Sequence, residues 1–441
     1  LGFSTWLKID NGKVGRLQVV LHKNHGSWQD KKGQHSLTLS EGQLLLVKGK
    51  SPVSFKVFST PLLMQFNQQD EQEYIVQMNK NSADFSVYLS AFDLALISQV
   101  SPLFISEQKK RELLSQLNIT GKAQDIYFKK SAVNTQALAS FSETSTQYSQ
   151  GIPDVENLSG QLSFTENSLH LDLSATQGEL DFKQLFIAPI VYHSLKANVE
   201  LSFFANAKNN SGWQLLVDNI DVVSPELSMN ADLALNGGAD SETTMSLLAS
   251  ITEGDASKAG HYFPLTTMSA DLVSYLNRSI VSGQIKQAQV LVNGPLSRFP
   301  FTDHSGIFVV DAELEQAVFS FDDEWPVITD FAANLNFTNN SMLITGRGGS
   351  LVGLDVSGVQ AAIDSLGNEQ LLTVDTLIKP SSADLVTDLM LNSPLKDSVG
   401  AVLTQLQVSG DIQGEFHLNL PLKATEKVLA SGIINFSDNQ V

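Results

Sequence analysis

The stretch Leu195-Lys196-Ala197-Asn198-Val199-Glu200-Leu201-Ser202-Phe203, running on to Ala205, sets an apolar side chain at every second position. Period-two alternation puts Leu195, Ala197, Val199, Leu201, Phe203 and Ala205 on one face of a strand, with Lys196, Asn198, Glu200 and Ser202 on the other. That apolar face must be withdrawn from water, and what covers it decides what the chain does.

The pattern recurs along the whole chain. It returns at Val53, Phe55, Val57, at Phe85, Val87, Leu89 and at Leu169, Leu171, Leu173, where Ser168, His170, Asp172 and Ser174 are the polar partners. Downstream come Leu227, Met229, Ala231, Leu233, Leu235, then Met245, Leu247, Ala249, Ile251, and finally Phe416, Leu418, Leu420, Leu422. Asn, Gly and Ser clusters punctuate the runs: Thr165-Glu166-Asn167-Ser168, Lys208-Asn209-Asn210-Ser211-Gly212, Asn236-Gly237-Gly238 and Thr338-Asn339-Asn340-Ser341. These residues tolerate positive φ or bond their own backbone, and links so short predict antiparallel neighbours, since parallel crossovers need a dozen or more residues.

The length of 441 residues suggests about three ordinary domains, yet no Pro-rich or low-complexity linker divides the chain. With 42% apolar and 17% charged residues it is a globular composition. No apolar run approaches the roughly 18 to 20 residues of a membrane helix. The net charge of −19 argues against nucleic-acid binding, which needs a basic face, and against an anionic membrane surface. The absence of cysteine excludes disulfides, zinc ribbons and thiol catalysis. The chain opens at Leu1 and closes on the strand-like Ile433-Ile434-Asn435-Phe436, so it reads as a segment of something longer, with any leader or membrane anchor outside it.

Aligned with itself at an offset of 173, the chain matches Ile152–Ser168 to Trp325–Ser341, with Pro, Leu, Phe, Thr, Asn and Ser identical. Three helical stretches, each running into a Gly that opens a strand, strengthen the repeat. The first holds Leu94, Ile97, Leu113, Leu114 and Leu117 before Gly121, broken near Pro102. The second holds Met268, Leu272, Val273, Leu276 and Ile280 before Gly283. The third begins at Ser381 with Asp384 as a capping box, is interrupted at Ser393-Pro394, and resumes through Leu395, Val399, Val402, Leu403 and Leu406 before Gly410. The organisation expected is three units of meander plus helix: 1–150, 151–324 with a helix near 268–280, and an incomplete 325–441 with helices near 383–406.

Motifs for chemistry are missing. There is no G-x-S-x-G elbow, and Gly49-Lys50-Ser51 is no phosphate loop because Leu44 stands where a Gly is needed. Gly346-Arg347-Gly348-Gly349 reads as a turn or bulge. His22, His25 and His35 lie among Lys23, Lys31 and Lys32 without a carboxylate pair and read as a solvated loop, and Asp322-Asp323-Glu324 as an acidic turn. No catalytic residue, metal ligand or cofactor is expected, and no enzyme. Two coverings of the stripes stay open: packing on one another in a closed sandwich or barrel, or lining a groove for a long apolar ligand. Eleven alternating residues span roughly 36 Å, longer than an ordinary strand.

His261-Tyr262-Phe263-Pro264, Met268 through Tyr275-Leu276, Ser282-Gly283-Gln284-Ile285, Ala288-Gln289-Val290 and Gly294-Pro295-Leu296 come in a recognisable order. Phe299-Pro300-Phe301, Gly306-Ile307-Phe308 and Trp325-Pro326 complete the set, which closely resembles the central region of the YhdP family of AsmA-like, TamB-related bacterial envelope proteins. Phe92-Asp93-Leu94-Ala95-Leu96 and Gly121 resemble an earlier part of the same region. The family commonly has Leu-Pro where this chain has Phe263-Pro264.

The resemblance implies a mainly β fold: a long, curved antiparallel sheet of repeating β-groove units with a few short amphipathic helices. It implies a periplasmic protein of Gram-negative bacteria, held to the inner membrane through a segment outside this chain. Phospholipids are the implied partner, carried towards the outer membrane and its components, with a closed-core structural or adhesive repeat protein as the alternative. The residues then expected to face the groove and bind lipid are Leu169, Leu171, Leu173, Leu195, Val199, Leu201, Phe203, Leu227, Met229, Leu233, Leu235, Phe416, Leu418 and Leu420. The helices are expected to plug, gate or cap it.

Overall fold

The structure is a computed structural model. It describes residues 2–436 apart from 31–32, 52, 68–69, 100–107, 109–110, 113–115, 148–152, 184, 206–210, 240, 265–267, 269, 367–370, 407 and 423–427. Among the described residues the chain is almost entirely antiparallel β-sheet, with 26 strands and few short helices. Contacts divide it into two compact units, Leu1–Phe182 with Val191–Leu215, and Lys183–Ile190 with Leu216–Val441.

The first unit contains β1 (Phe3–Asp10), β2 (Lys13–Leu21), β3 (Asn24–Asp30), β4 (Gly33–Lys48), β5 (Phe55–Ser59), β6 (Leu62–Phe66) and β7 (Gln72–Tyr74). It continues with β8 (Val76–Lys80), β9 (Phe85–Asp93), β10 (Thr120–Lys130), β11 (Thr135–Thr146), β12 (Asp154–Thr165), β13 (Ser168–Asp181) and nearly all of β14 (Ile190–Ala205). β4 serves two ladders. Its first half pairs with β3 and β6, and its second half with β2 and β5.

β15 (Ser211–Val223) passes into the second unit, which holds β16 (Leu227–Gly238), β17 (Ser241–Asp255), β18 (Ile280–Pro295), β19 (Ile307–Phe319), β20 (Ile328–Thr338) and β21 (Ser341–Leu351). It ends with β22 (Leu354–Asp355), β23 (Gln360–Ile363), β24 (Leu371–Ser382), β25 (Asp411–Pro421) and β26 (Leu429–Phe436). Its helices are α1 (Ala270–Ser279), between β17 and β18, and α2 (Ala383–Leu391) and α3 (Ala401–Leu406), between β24 and β25. No helix among the described residues is long and apolar enough to cross a membrane.

The short links behave as their residues require. Thr165 pairs with Ser168 and Thr338 with Ser341 across two-residue turns, with Asn339 at φ 51°. The Lys208-Asn209-Asn210 part of another expected turn lies outside the described residues, as do Pro102, Leu113, Leu114 and Ile152. Val53 precedes β5 and is exposed, so that strand is shorter than the alternation suggested.

The helices need correcting in detail. The first stretch opens with a 3-10 turn, Leu94–Leu96, whose N-cap Asp93 accepts from the Ala95 amide at 2.9 Å, and the described residues 97–99, 108, 111–112 and 116 are helical as expected. Ile280 starts β18 and does not end α1, because its branched side chain already lies in the sheet; Gly283 therefore sits inside the strand. The N-cap of α2 is Ser382 rather than Ser381, accepting from the Asp384 amide at 3.3 Å. At Ser393-Pro394 the chain does break, and a π-helical turn, Lys396–Gly400, leads into α3.

The 173-residue offset carries over to backbone detail. Asn157 and Asp330 both have positive φ (56° and 50°), as do Glu143 and Gln316 (52° and 50°). Each sits at a register shift in its ladder, so these are β-bulges. The extra residue reverses the parity of the alternation. In β19 the inward residues are Val310, Ala312 and Leu314 before Gln316, and Ala317 and Phe319 after it. Two glycines answer the bulges on the preceding strand. A Cβ on Gly121 (φ 119°) would lie 2.7 Å from Thr144 Cα, and one on Gly283 (φ 148°) 2.7 Å from Ala317 Cβ; Thr144 and Ala317 are again 173 apart.

Candidate functional site

Register turns the separate stripes into continuous faces. In the first unit Leu7 stands opposite Leu17, Leu17 opposite Leu46, Leu46 opposite Val57, Val57 opposite Met78 and Met78 opposite Val87. The same row goes on through Phe128, Ala137, Phe164 and Leu169. Residues directly opposite in an antiparallel ladder share a face, so ten strands present one unbroken apolar line, roughly 43 Å measured along the sheet. One residue along, on the other face, the row reads Lys8, Arg16, Val47, Lys56, Asn79, Ser86, Lys129, Gln136, Thr165, Ser168.

The second unit repeats the arrangement. Met229 stands opposite Ile251, which leads through Ala288, Ala312, Leu335 and Ile344 to Ala361, Val374, Leu418 and Ala430. A parallel row joins Leu233, Leu247, Val292 and Phe308. The other face carries Asn230, Ser250, Gln289, Asp311 and Asn336. The long dimension of each apolar face thus runs across the strands, whereas the alternation in sequence measures only its depth along one strand.

The expected lipid-facing residues fall on these faces in three groups. Leu169, Leu171 and Leu173 lie on β13 opposite Phe164, Leu162 and Gly160. The amide of Phe203 donates to Asn167 O at 2.8 Å, and His170 meets Glu200 at 3.7 Å on the polar side. That register sets Leu201 and Val199 of β14 beside Leu169 and Leu171. Leu195 is buried at 4% exposure, Val199 and Leu201 are half-buried, and Phe203 is open at 52%. In the second unit Met229, Leu233 and Leu235 share the face with Phe416, Leu418 and Leu420, and Met229 and Leu418 belong to one row. Leu227 and Leu418 are already covered by protein, at 9% and 5%.

The two faces are covered differently. In the second unit one end of the strands is sealed by helices. Val386, Leu389 and Met390 of α2 and Leu403 of α3 bury against Leu354, Val408 and Ile412. A neighbouring cluster gathers Ala256, Leu314, Ala317, Ile328, Phe331, Ala333 and Val356. Val273 of α1 is buried, and the Tyr275 hydroxyl donates to Phe321 O at 3.0 Å. In the first unit every residue of the long row from Leu17 to Leu169 is half-buried.

The polar groups make local structural contacts. His25 bonds Thr38 at 3.1 Å, His22 bonds Ser4 at 3.2 Å, and His35 is buried with its ring 5.6 Å from Trp28. His25 and His35 therefore belong to the β3–β4 hairpin and not to a solvated loop; the apolar Trp28 beside His35 draws it in. Asp322 accepts from the Glu324 amide at 2.8 Å and closes the acidic turn. Gly346-Arg347-Gly348-Gly349 forms a bulged part of β21, and Arg347 reaches Glu315 at 2.6 Å. Glu226 accepts from the Tyr262 hydroxyl at 3.1 Å and meets His261 at 2.9 Å. Burial, with the nearby Glu226 charge adding to it, pushes the Tyr262 hydroxyl up to about 12. Tyr192, 1% exposed, donates to Glu156 O at 2.5 Å, and burial raises it likewise to about 12. Tyr192 is thus a neutral pin between strands, and Tyr262 one between the 3-10 turn Ala256–Tyr262 and the turn that holds Glu226. Among the described residues no group of three or more His, Cys, Asp or Glu is placed to hold a metal ion.

Comparison with known proteins bears on these faces. The family model described as YhdP protein matches residues 1–441. The chain is 28% identical over 454 residues to the intermembrane phospholipid transporter YhdP of Escherichia coli (strain K12), a match covering 99% of this chain and 35% of that protein. The chain thus spans far less than the whole relative. No solved structure matches it.

Proposed function

Because the chain belongs to the YhdP family, we propose that its apolar faces carry the acyl chains of phospholipids, as part of a bridge-like conduit between the inner and outer membranes. The observation that carries this reading is the half-open apolar row crossing ten strands of the first unit. Each acyl CH₂ withdrawn from water contributes about 0.8 kcal/mol, so aliphatic walls hold a chain without hydrogen bonds of any particular geometry. An unbroken row also lets a chain slide from strand to strand with nearly constant contact. No chemical step is involved. The relative's description as an intermembrane phospholipid transporter supports phospholipid as cargo and the periplasm as location. On this reading the inner membrane is engaged through a segment outside these residues, and outer-membrane components are further partners.

On this reading the fourteen stripe residues named above form parts of the walls, and the meander-plus-helix unit is the repeating element. Photo-crosslinkers at Leu171, Leu201 and Leu233 of the full-length protein in cells, with Glu200, His170 and Asp232 as controls on the other face, test it. Phospholipid adducts are expected at the first set alone. Equal labelling of both sets, or of neither, overturns the reading.

A further inference from the structure

The net charge of −19 is not shared evenly. The first unit holds 18 Lys and Arg against 19 Asp and Glu, the second 10 against 28. All 16 basic residues of the stretch 1–182 fall within 1–130. Register then gathers several of them at one rim of the first unit.

Lys48 stands opposite Phe55, Phe55 opposite Lys80, Lys80 opposite Phe85 and Phe85 opposite Lys130. This row lies two residues from the Leu46, Val57, Met78, Val87, Phe128 row, and so on the same, apolar side of the sheet. Lysines therefore recur on alternate strands, roughly 10 Å apart, with phenylalanines between them. All three are exposed, and none makes an ion pair with a described residue; the Lys80 ammonium lies 5.9 Å from the Phe85 ring centre. The carboxylates of this rim's turns are few: Asp10 is 3.9 Å from Lys8, Asp84 accepts from the Asn81 side chain at 3.2 Å, and Glu166 stands exposed in the Thr165–Ser168 turn. Towards the opposite ends of β9, β11, β12 and β13 stand Asp93, Glu143, Glu156 and Glu179, with Lys122 held by Glu143 at 3.2 Å.

An amphiphile on this face must leave its polar end at one rim or the other, because a phosphodiester on the apolar row would be desolvated without a partner. One rim carries unpaired ammonium groups beside apolar side chains; the other carries carboxylates. We propose that Lys48, Lys80 and Lys130 bind the headgroup phosphate of a phospholipid whose acyl chains lie on the apolar rows, so that lipids occupy the first unit in one orientation. This rests on the lipid-carrying reading above and adds a headgroup site to it. Lysine suits a transient hold, since its point charge passes a phosphate to the next ammonium without the bidentate geometry of arginine.

The test uses the full-length protein with K48Q/K80Q/K130Q, three exposed substitutions, beside K56Q/K129Q, which removes charge from the other face of the same rim. Three loads are compared: phosphatidylglycerol, a diacylglycerol with the same chains, and inorganic phosphate as competitor against sodium chloride at matched ionic strength. The expected result is about tenfold weaker retention of phosphatidylglycerol by the triple variant, less than twofold for the control, and unchanged retention of diacylglycerol. A phosphatidylglycerol with a photoreactive headgroup should label peptides around residues 48–56, 80–85 and 130–135. Equal retention of phosphatidylglycerol by wild type and triple variant overturns the rim while leaving the lipid face intact, as does an equal loss of both lipids. Inorganic phosphate displacing lipid no better than chloride supports a lipid headgroup site. Displacement by phosphate alone, with no headgroup labelling, reassigns the lysines to free anions and overturns it. Failure of wild type to retain either lipid overturns the lipid-carrying reading itself.

Discussion

The two units present the same kind of face and finish it differently. In the second, helices and a strand-end cluster bury side chains such as Val386, at 1% exposure, and Phe331, at 3%. In the first, the row from Leu17 to Leu169 stays half-buried along its length. A β-sheet with one apolar face therefore needs local cover only where stability must be anchored. The rest can remain open if something else takes up the apolar surface.

The largest effect that would break this comparison comes from a charge placed under the cover. Val386→Asp puts a carboxylate into the α2 cluster and should cost more than about 4 kcal/mol, because nothing there solvates it. Val87→Asp on the open face should cost under about 1.5 kcal/mol, since its carboxylate reaches water. Urea unfolding followed through Trp325, which packs against the α2 cluster, reads the first. If both variants lose equal stability, the faces are equally closed and the distinction fails.

A smaller effect sharpens it. Leu158 and Phe331 occupy the same position of the 173-residue repeat, each next to a bulge. Phe331→Ala should cost about 3 to 5 kcal/mol and Leu158→Ala about 2 to 3 kcal/mol, the larger ring leaving the larger cavity. A reversed order in thermal or urea denaturation would mean that the repeat does not share its packing. Smaller again are Gly121→Ala and Gly283→Ala, expected at about 1 to 3 kcal/mol each. Both combine positive φ with a Cβ set against the next strand. A cost at one site and none at the other, in the same denaturation assay, would separate the two bulges.

These pairs also show what was legible in sequence. The strands were, because alternation at Leu227–Leu235 and Leu169–Leu173 and turns such as Thr338–Ser341 are local signals. Which stripes join was not, since the row through Met229, Ala361 and Leu418 depends on register between residues far apart. The bulges left a faint trace: alternation in β19 changes parity at Gln316, a polar residue where an apolar or small one would continue the pattern. Gly121 and Gly283 were visible as residues but not as partners of bulges, because the atoms they avoid come from the neighbouring strand. The lysine rim escaped for the same reason. Lys48, Lys80 and Lys130 are scattered in sequence, and only pairing through Phe55 and Phe85 aligns them.

The smallest expected effect lies just outside the cover of the second unit. Asp355, beside the buried Leu354 and Val356, accepts from the Lys379 ammonium at 2.7 Å, from the Ser357 amide at 2.8 Å and from its hydroxyl at 2.7 Å; Lys379 also bonds the Ser357 hydroxyl. The hydrogen bond from Lys379, with those from Ser357, lowers the Asp355 carboxyl to about 2 from an ordinary 3.8. A carboxyl lowered on folding contributes stability above its unfolded value, and that contribution drains away as pH falls from about 4 through about 2. Both side chains are half-exposed, so the pair should be worth under about 1 kcal/mol. Lys379→Met should therefore lower the urea midpoint slightly at pH 6 and leave it equal to wild type near pH 2. A gap that persists unchanged at pH 2 would assign the loss to the packing of the lysine stem instead, and would make this corner of β24 part of the cover rather than its polar margin.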